Sequence, residues 1–296
     1  MRESTRTELE ILDHFRLNTP TIPQMFYNTL ENAGSQPANT YKSDEAWETI
    51  SYAQWANISE EIALALMNHG IQKGDYIGIM SRLTAQRGWA DLAILMTGAV
   101  TATITPLASD EDLVYIVNRH GLKIFMVENS AMVNRLVYLS DKMPSLKTIV
   151  CLDERFQRNQ SNQCSLKEFR AGSRQGTATR DLLKQSWQQL SGNDLARINY
   201  TSSTTCELNY SQMKHSEWVQ EGSSEQRKIL QDNLTGKRNN VYNSIMPLGS
   251  INERFFSFYS MVAIGAQIKY GPGPNTIKHL NEIKQKAQDF SQRQAI

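Results

Sequence analysis

The sequence predicts an α/β fold in which mainly parallel sheets are flanked by helices. Two observations carry that prediction. Strand-like and helix-like patterns alternate between residues 76 and 152, and the connections between them are short. A strand that returns parallel to its neighbour through a helix does so by a right-handed crossover, which lays helices on both faces of the sheet.

Each element follows from local chemistry. A first helix over residues 21–32 has Thr21 as its cap, Pro23 in its first turn, and Ile22, Phe26 and Leu30 on one face. A short extended pair is expected at 40–42 and 47–50. Ser51 then opens a stronger helix, because Gln54 completes a capping box and Trp55, Ile58, Ile62 and Leu66 recur at helical spacing before Gly70. The alternation proper reads as strand 76–80, helix 89–96, strand 100–104, helix 110–120 closed by Gly121, strand 123–127, helix 131–142 and strand 148–152. From 153 to 194 the composition turns polar, which predicts a surface connection with one short helix near 182–190. Further on, strands are expected at 241–246 and 265–270, helices at 255–264 and 277–283, and a rigid Gly-Pro-Gly-Pro turn at 271–274. The expected organisation is an N-terminal arm at 1–20, one domain over 21–283, and a polar tail at 284–296.

Charge and composition exclude several classes of function. Lys and Arg total 31 against 30 Asp and Glu, so the formal net charge is +1 and no basic block points to nucleic acid. The most apolar stretch, 92–107, is cut by Gly98, several threonines and Pro106, and is too short and polar for a transmembrane segment. The first residues, with Arg2, Glu3, Arg6, Glu8 and Glu10, lack the apolar core of a secretory signal, and a cytoplasmic protein is expected. Cys151, Cys164 and Cys206 are odd in number and lack metal-ligand spacing, so they read as reduced thiols.

Residues 198–218 carry the chemistry. Thr201, Ser202, Ser203, Thr204 and Thr205 are five hydroxyl side chains in a row after a short apolar strand. Such a loop suits a phosphate cradle, because hydroxyls and successive backbone N–H groups donate together to phosphoryl oxygens. A Ser/Thr-rich turn is the plainer alternative. Cys206 reads as a small loop residue rather than a nucleophile, since only His215 stands near it as a base.

This stretch, Y-T-S-S-T-T-C-E-L-N-Y with His215 after it, resembles the signature of the adenylate-forming (AMP-binding) enzyme superfamily. Tyr200, Thr201, Ser202, Thr204, Thr205 and His215 match the pattern. Ser203, Cys206 and Tyr210 replace its glycines, Leu208 its proline and Asn209 its lysine. Glycine reaches positive φ freely and lets backbone approach phosphate, and lysine supplies a point charge for the triphosphate. The cradle therefore reads as degenerate. The runs at 70–80 and 90–100, with D-L-V-Y-I-V and H-G-L-K-I-F-M-V-E after them, resemble the N-terminal part of long-chain fatty acyl-CoA synthetases. So does M-P-L-G-S-I-N-E-R-F at 246–255, where Pro247, Leu248, Ile251, Glu253 and Arg254 match and Ser250 replaces a histidine.

The resemblance covers residues 22–283 and implies an incomplete N-terminal domain of the adenylate-forming fold. It implies ATP with Mg2+, coenzyme A as co-substrate in intact relatives, and a fatty acid or other carboxylate as substrate. For phosphate it points to Thr201, Ser202, Ser203, Thr204 and Thr205, with Glu207 a weaker candidate. It assigns no catalytic residue and no metal ligand, and His215 reads as a packing residue at a helix start. The family's adenine, ribose and catalytic-lysine motifs are not found after His279, so little ligase activity is expected alone, and a separate chain supplying that half is an implied partner. Three readings stay open: a truncated ligase, a non-catalytic nucleotide- or acyl-adenylate-binding module, and a decayed gene product.

Overall fold

The computed structural model describes residues 20–43, 46–201, 209–217, 241–244, 258–259, 261–263 and 265–271. Thr21 opens α1 (Ile22–Ala33): its hydroxyl accepts the Gln24 amide at 3.4 Å and Pro23 occupies the first turn. β1 (Pro37–Ser43) and β2 (Ala46–Ser51) pair antiparallel. α2 (Tyr52–Asn68) starts at the expected capping box, in which the Gln54 amide donates to Ser51 Oγ at 3.2 Å and the Ser51 amide donates to Gln54 Oε1 at 2.8 Å.

The alternating region then builds a seven-stranded sheet. Its strands are β3 (Tyr76–Met80), β4 (Val100–Thr103), β5 (Ile124–Val127), β6 (Thr148–Cys151), β7 (Gln163–Ser165), β8 (Leu195–Thr201) and β9 (Asn209–Lys214). They lie in the order β7-β6-β5-β3-β4-β8-β9, and every neighbouring pair is parallel except β8 with β9. The helices between them are α3 (Ala85–Met96), α4 (Asp110–His120), α5 (Ser130–Tyr138), α6 (Leu166–Ala171) and α7 (Arg180–Gln188). A four-stranded sheet joins β1 and β2 to β10 (Val241–Ser244) and β11 (Gln267–Tyr270), in the order β10-β11-β1-β2.

Alternation along the strands splits the large sheet between two cores. Ile77, Ile79, Ile124 and Met126 pack with α1, α2 and α3 and with Phe258, Tyr259 and Ile268 at the second sheet. Met80, Phe125, Val127 and Ile149 pack on the other side, with Leu113 and Ile116 of α4 and Val133 of α5. Gly78 is required between those layers, because a Cβ there would lie 2.7 Å from the Phe125 ring. No helix among the described residues is long and apolar enough to cross a membrane.

Several bounds differ from expectation for identifiable reasons. The helix expected at 89 starts at Ala85, because the Thr84 hydroxyl accepts the Arg87 amide at 3.1 Å and caps it. The helix expected through 142 ends at Tyr138 and is followed by a 3-10 turn at Ser140–Lys142. The polar stretch 153–194 is more than a surface connection with one helix. It contributes the edge strand β7 with Gln163 and Ser165 buried, and both α6 and α7, which bury only Leu166, Phe169, Leu183 and Trp187. β9 was not expected at all, since Tyr210, Ser211 and Gln212 are exposed on an edge strand and leave no apolar alternation. The helix at 277–283, the tail at 284–296 and the arm up to residue 19 lie outside the described residues.

Candidate functional site

Parallel strands send their carboxyl ends to one edge of a sheet, and open α/β sheets hold ligands outside that edge. β8 reaches it at Thr201, and β9 returns with Asn209 opposite Thr201. The two strands of the hairpin thus end at Thr201 and resume at Asn209 on the edge where open α/β sheets hold ligands. Of the residues singled out for phosphate, Thr201 ends β8, while Ser202, Ser203, Thr204, Thr205 and Glu207 lie outside the described residues. Cys206, Leu208, Ser250, Glu253 and Arg254 lie outside them as well.

The described walls of the hairpin are well defined. Ile198 and Tyr200 face the α4–α5 core. The Tyr200 hydroxyl and His120 Nε2 share a hydrogen bond, and the Tyr210 ring stands 5.8 Å from the Tyr200 ring. The Arg119 guanidinium lies 5.8 Å from the ring centres of both Tyr115 and Tyr210. Tyr210, which replaces a signature glycine, is therefore a strand residue held by aromatic and cation–π contacts. Burial pushes the Tyr200 phenol up to about 12, and burial followed by the charge of Arg119 lowers His120, so a neutral imidazole meets a neutral phenol.

His215 stands where the hairpin ends and a helical turn begins. It is 1% exposed, and its Nδ1 accepts the Ile22 amide at 3.4 Å, tying the hairpin to the first turn of α1. Burial drives it down to about 4, against the nearby Asp194 and Asp91 carboxylates. A neutral acceptor fixed in the core is a packing residue at a helix start, as its sequence position suggested.

On the opposite face of β8, Arg197 and Asn199 are buried, and Arg197 reaches α3. Arg197 Nη2 donates to Asp91 Oδ2, and the Tyr259 hydroxyl donates to the same oxygen at 2.6 Å. Arg87, one turn before Asp91, donates through Nη1 to Ser81 O, and burial followed by the Arg197 charge lowers it to about 9. Sequence reasoning missed this cluster. Its signal was an arginine and an asparagine alternating with Ile198 and Tyr200 in a strand otherwise read as apolar.

At the carboxyl ends of β3 and β5 the chain order changes sides, the place where such sheets open a crevice. Here the chain supplies its own anion. Glu128 accepts the Arg82 amide at 2.7 Å, Arg82 Nε at 2.7 Å and Ser81 Oγ at 3.5 Å. A cavity of about 430 Å³ lies around α6, towards the β7 end of the sheet, and Arg170 bridges Glu61 and Glu154 across its lining. Among the described residues no group of three or more His, Cys, Asp or Glu side chains is placed to hold a metal ion. Burial pushes Cys151 up to about 11 and half-buried Cys164 up to about 12, which keeps both protonated at neutral pH.

Residues 26–289 match the family described as AMP-binding enzyme. The chain belongs to that family. Among curated relatives of this AMP-binding family chain, the rat protein "Long-chain-fatty-acid–CoA ligase ACSBG2" is 24% identical over 83% of this chain and 36% of its own length. The Drosophila melanogaster "Long-chain-fatty-acid–CoA ligase heimdall" is 21% identical over 88% of this chain and 39% of its own length. The chain thus spans well under half the length of these relatives. Among solved structures, the A-PCP didomain of the Segniliparus rugosus carboxylic acid reductase, in complex with AMP, superposes with a TM-score of 0.69 at 15% identity. That match covers 88% of this chain and 40% of the other. At that identity the likeness speaks to fold, and it matches the mainly parallel, helix-flanked architecture of this AMP-binding family chain.

Proposed function

We propose that this AMP-binding family chain is a long-chain fatty acyl-CoA ligase-like protein that binds ATP by its phosphates at the 202–208 loop and takes a fatty acid as its carboxylate. The observation that supports the reading is the β8–β9 hairpin, whose strands end at Thr201 and resume at Asn209 at the carboxyl edge of a parallel sheet, on either side of a hydroxyl-rich run in the sequence. Thr201, Ser202, Ser203, Thr204 and Thr205 each carry a hydroxyl whose O–H can donate to a phosphoryl oxygen. Glu207 is the weaker candidate, and Mg2+ would enter with the nucleotide that it neutralises. In the family reaction the carboxylate joins ATP to give acyl-adenylate and pyrophosphate, and the acyl group then passes to the thiol of coenzyme A with release of AMP.

The same loop argues that binding outlasts turnover in this chain. Asn209 in place of lysine removes a charge-assisted contact worth about 1.5–3 kcal/mol, or roughly 10- to 150-fold in a rate or affinity. Ser203 and Cys206 in place of glycine add side chains where phosphate needs bare backbone. The reading is therefore a binding unit with slow or no ligase activity of its own.

Calorimetric titration with MgATP, and with a non-hydrolysable fatty acyl-adenylate mimic, tests it against a Thr204→Ala, Thr205→Ala double variant. Saturable heat that the variant loses is the expected result. No heat from a chain shown by circular dichroism to be folded overturns the reading. Pyrophosphate release with fatty acid, MgATP and coenzyme A then separates a working ligase from a binding module.

A further inference from the structure

Asp91 sits on α3 at 1% exposure, and its Oδ2 accepts from two distant parts of the chain. Arg197 reaches it from β8, and Tyr259 reaches it at 2.6 Å from the far side of α3 in sequence, where residues 258–259 and 261–263 are helical. α3 and that segment are in close contact, since a Cβ on Gly88 would lie 2.9 Å from the Phe258 ring. Beyond Tyr259 the chain runs into β11 of the second sheet, and beyond Arg197 β8 runs to Thr201, where the loop starts. Arg87 is buried one turn from Asp91 and feels the charges of both Arg197 and Asp91, so the carboxylate offsets the repulsion between two buried guanidiniums.

We propose that Asp91 is a positioning residue for nucleotide binding: it holds β8, and with it Thr201 at the strand's carboxyl end, in a fixed place against Phe258, Tyr259 and the second sheet. Its effect on binding rests on the phosphate-loop reading above; its effect on β8 does not. Asp91 touches no reacting group in this account. It acts through Arg197, four residues before Thr201, and through Tyr259, which donates to the same carboxylate oxygen.

Hydrogen–deuterium exchange and MgATP titration on the full chain test this together, well below the melting temperature. Tyr259→Phe removes one hydroxyl and keeps the ring, and Asp91→Asn, which leaves both guanidiniums without the carboxylate, is the stronger second variant. Tyr259→Phe is expected to speed exchange of the amides at 195–201 and 209–214 by about tenfold while β5 and β6 keep wild-type rates. The Kd for MgATP rises by about fivefold or more in the same variant. Unchanged exchange in β8 and β9, or an equal rise in β5 and β6, overturns the proposal, as does local loosening with an unaltered Kd. If the wild-type chain binds no MgATP, the phosphate-loop reading fails and positioning for nucleotide falls with it, while the exchange pattern still decides whether Asp91 holds β8.

Discussion

His215 offers a pH test of how the hairpin is anchored. Its imidazole is 1% exposed and accepts the Ile22 amide at 3.4 Å, so the folded chain requires it neutral. Burial lowers it from 6.5 to about 4. Above about pH 6.5 it is neutral in both folded and unfolded chains, and its full contribution to stability is present. That contribution is lost as pH falls from about 6.5 towards about 4, because only the unfolded chain takes up the proton. The difference corresponds to about 3 kcal/mol below pH 4, and to about 2 kcal/mol at pH 5. Urea unfolding of the wild-type chain and of His215→Asn at pH 7 and pH 5 isolates this effect from the titration of carboxylates. The wild type is expected to lose about 2 kcal/mol more than the variant over that interval. Parallel losses in the two proteins, or an NMR titration of folded His215 near 6.5, would refute the reasoning.

Two further predictions concern the sheet. Gly78→Ala places a methyl group 2.7 Å from the Phe125 ring in a layer with no slack, and a loss of about 1–3 kcal/mol is expected by chemical denaturation; an unchanged stability would mean the β3–β5 spacing is wrong. In a Cys206→Ala background at pH 8, iodoacetamide is expected to leave Cys151 and Cys164 largely unmodified until the chain is unfolded, because burial holds both thiols well above that pH. Rapid labelling of the folded chain, followed by mass spectrometry, would contradict that burial.

What the sequence disclosed depended on how loudly local chemistry speaks. Thr21 and the Ser51–Gln54 pair announced α1 and α2, because a capping side chain must lie a fixed distance from the amides it accepts. β3 to β6 announced themselves as apolar runs between helices, since strands buried on both faces need little alternation. β7 and β9 stayed hidden for the opposite reason: they are short or polar edge strands, stabilised by pairing rather than by an apolar face. At the site, the hydroxyl run and its place after a strand were legible, and so was His215 as a packing residue. The Asp91, Arg197 and Tyr259 contact was not, because it joins residues separated by 106 and 168 positions, and no local spacing encodes it.

The proposed phosphate-binding role of the 201–209 stretch is tested most directly by adding back what the family signature has and this stretch lacks. A variant carrying Ser203→Gly, Cys206→Gly and Asn209→Lys restores the backbone freedom and the point charge of the family signature. Titrated with MgATP, it is expected to bind at least about tenfold more tightly than the wild type. An affinity equal to or weaker than that of the wild type, in a variant of unchanged fold, would contradict the claim that this loop receives the nucleotide.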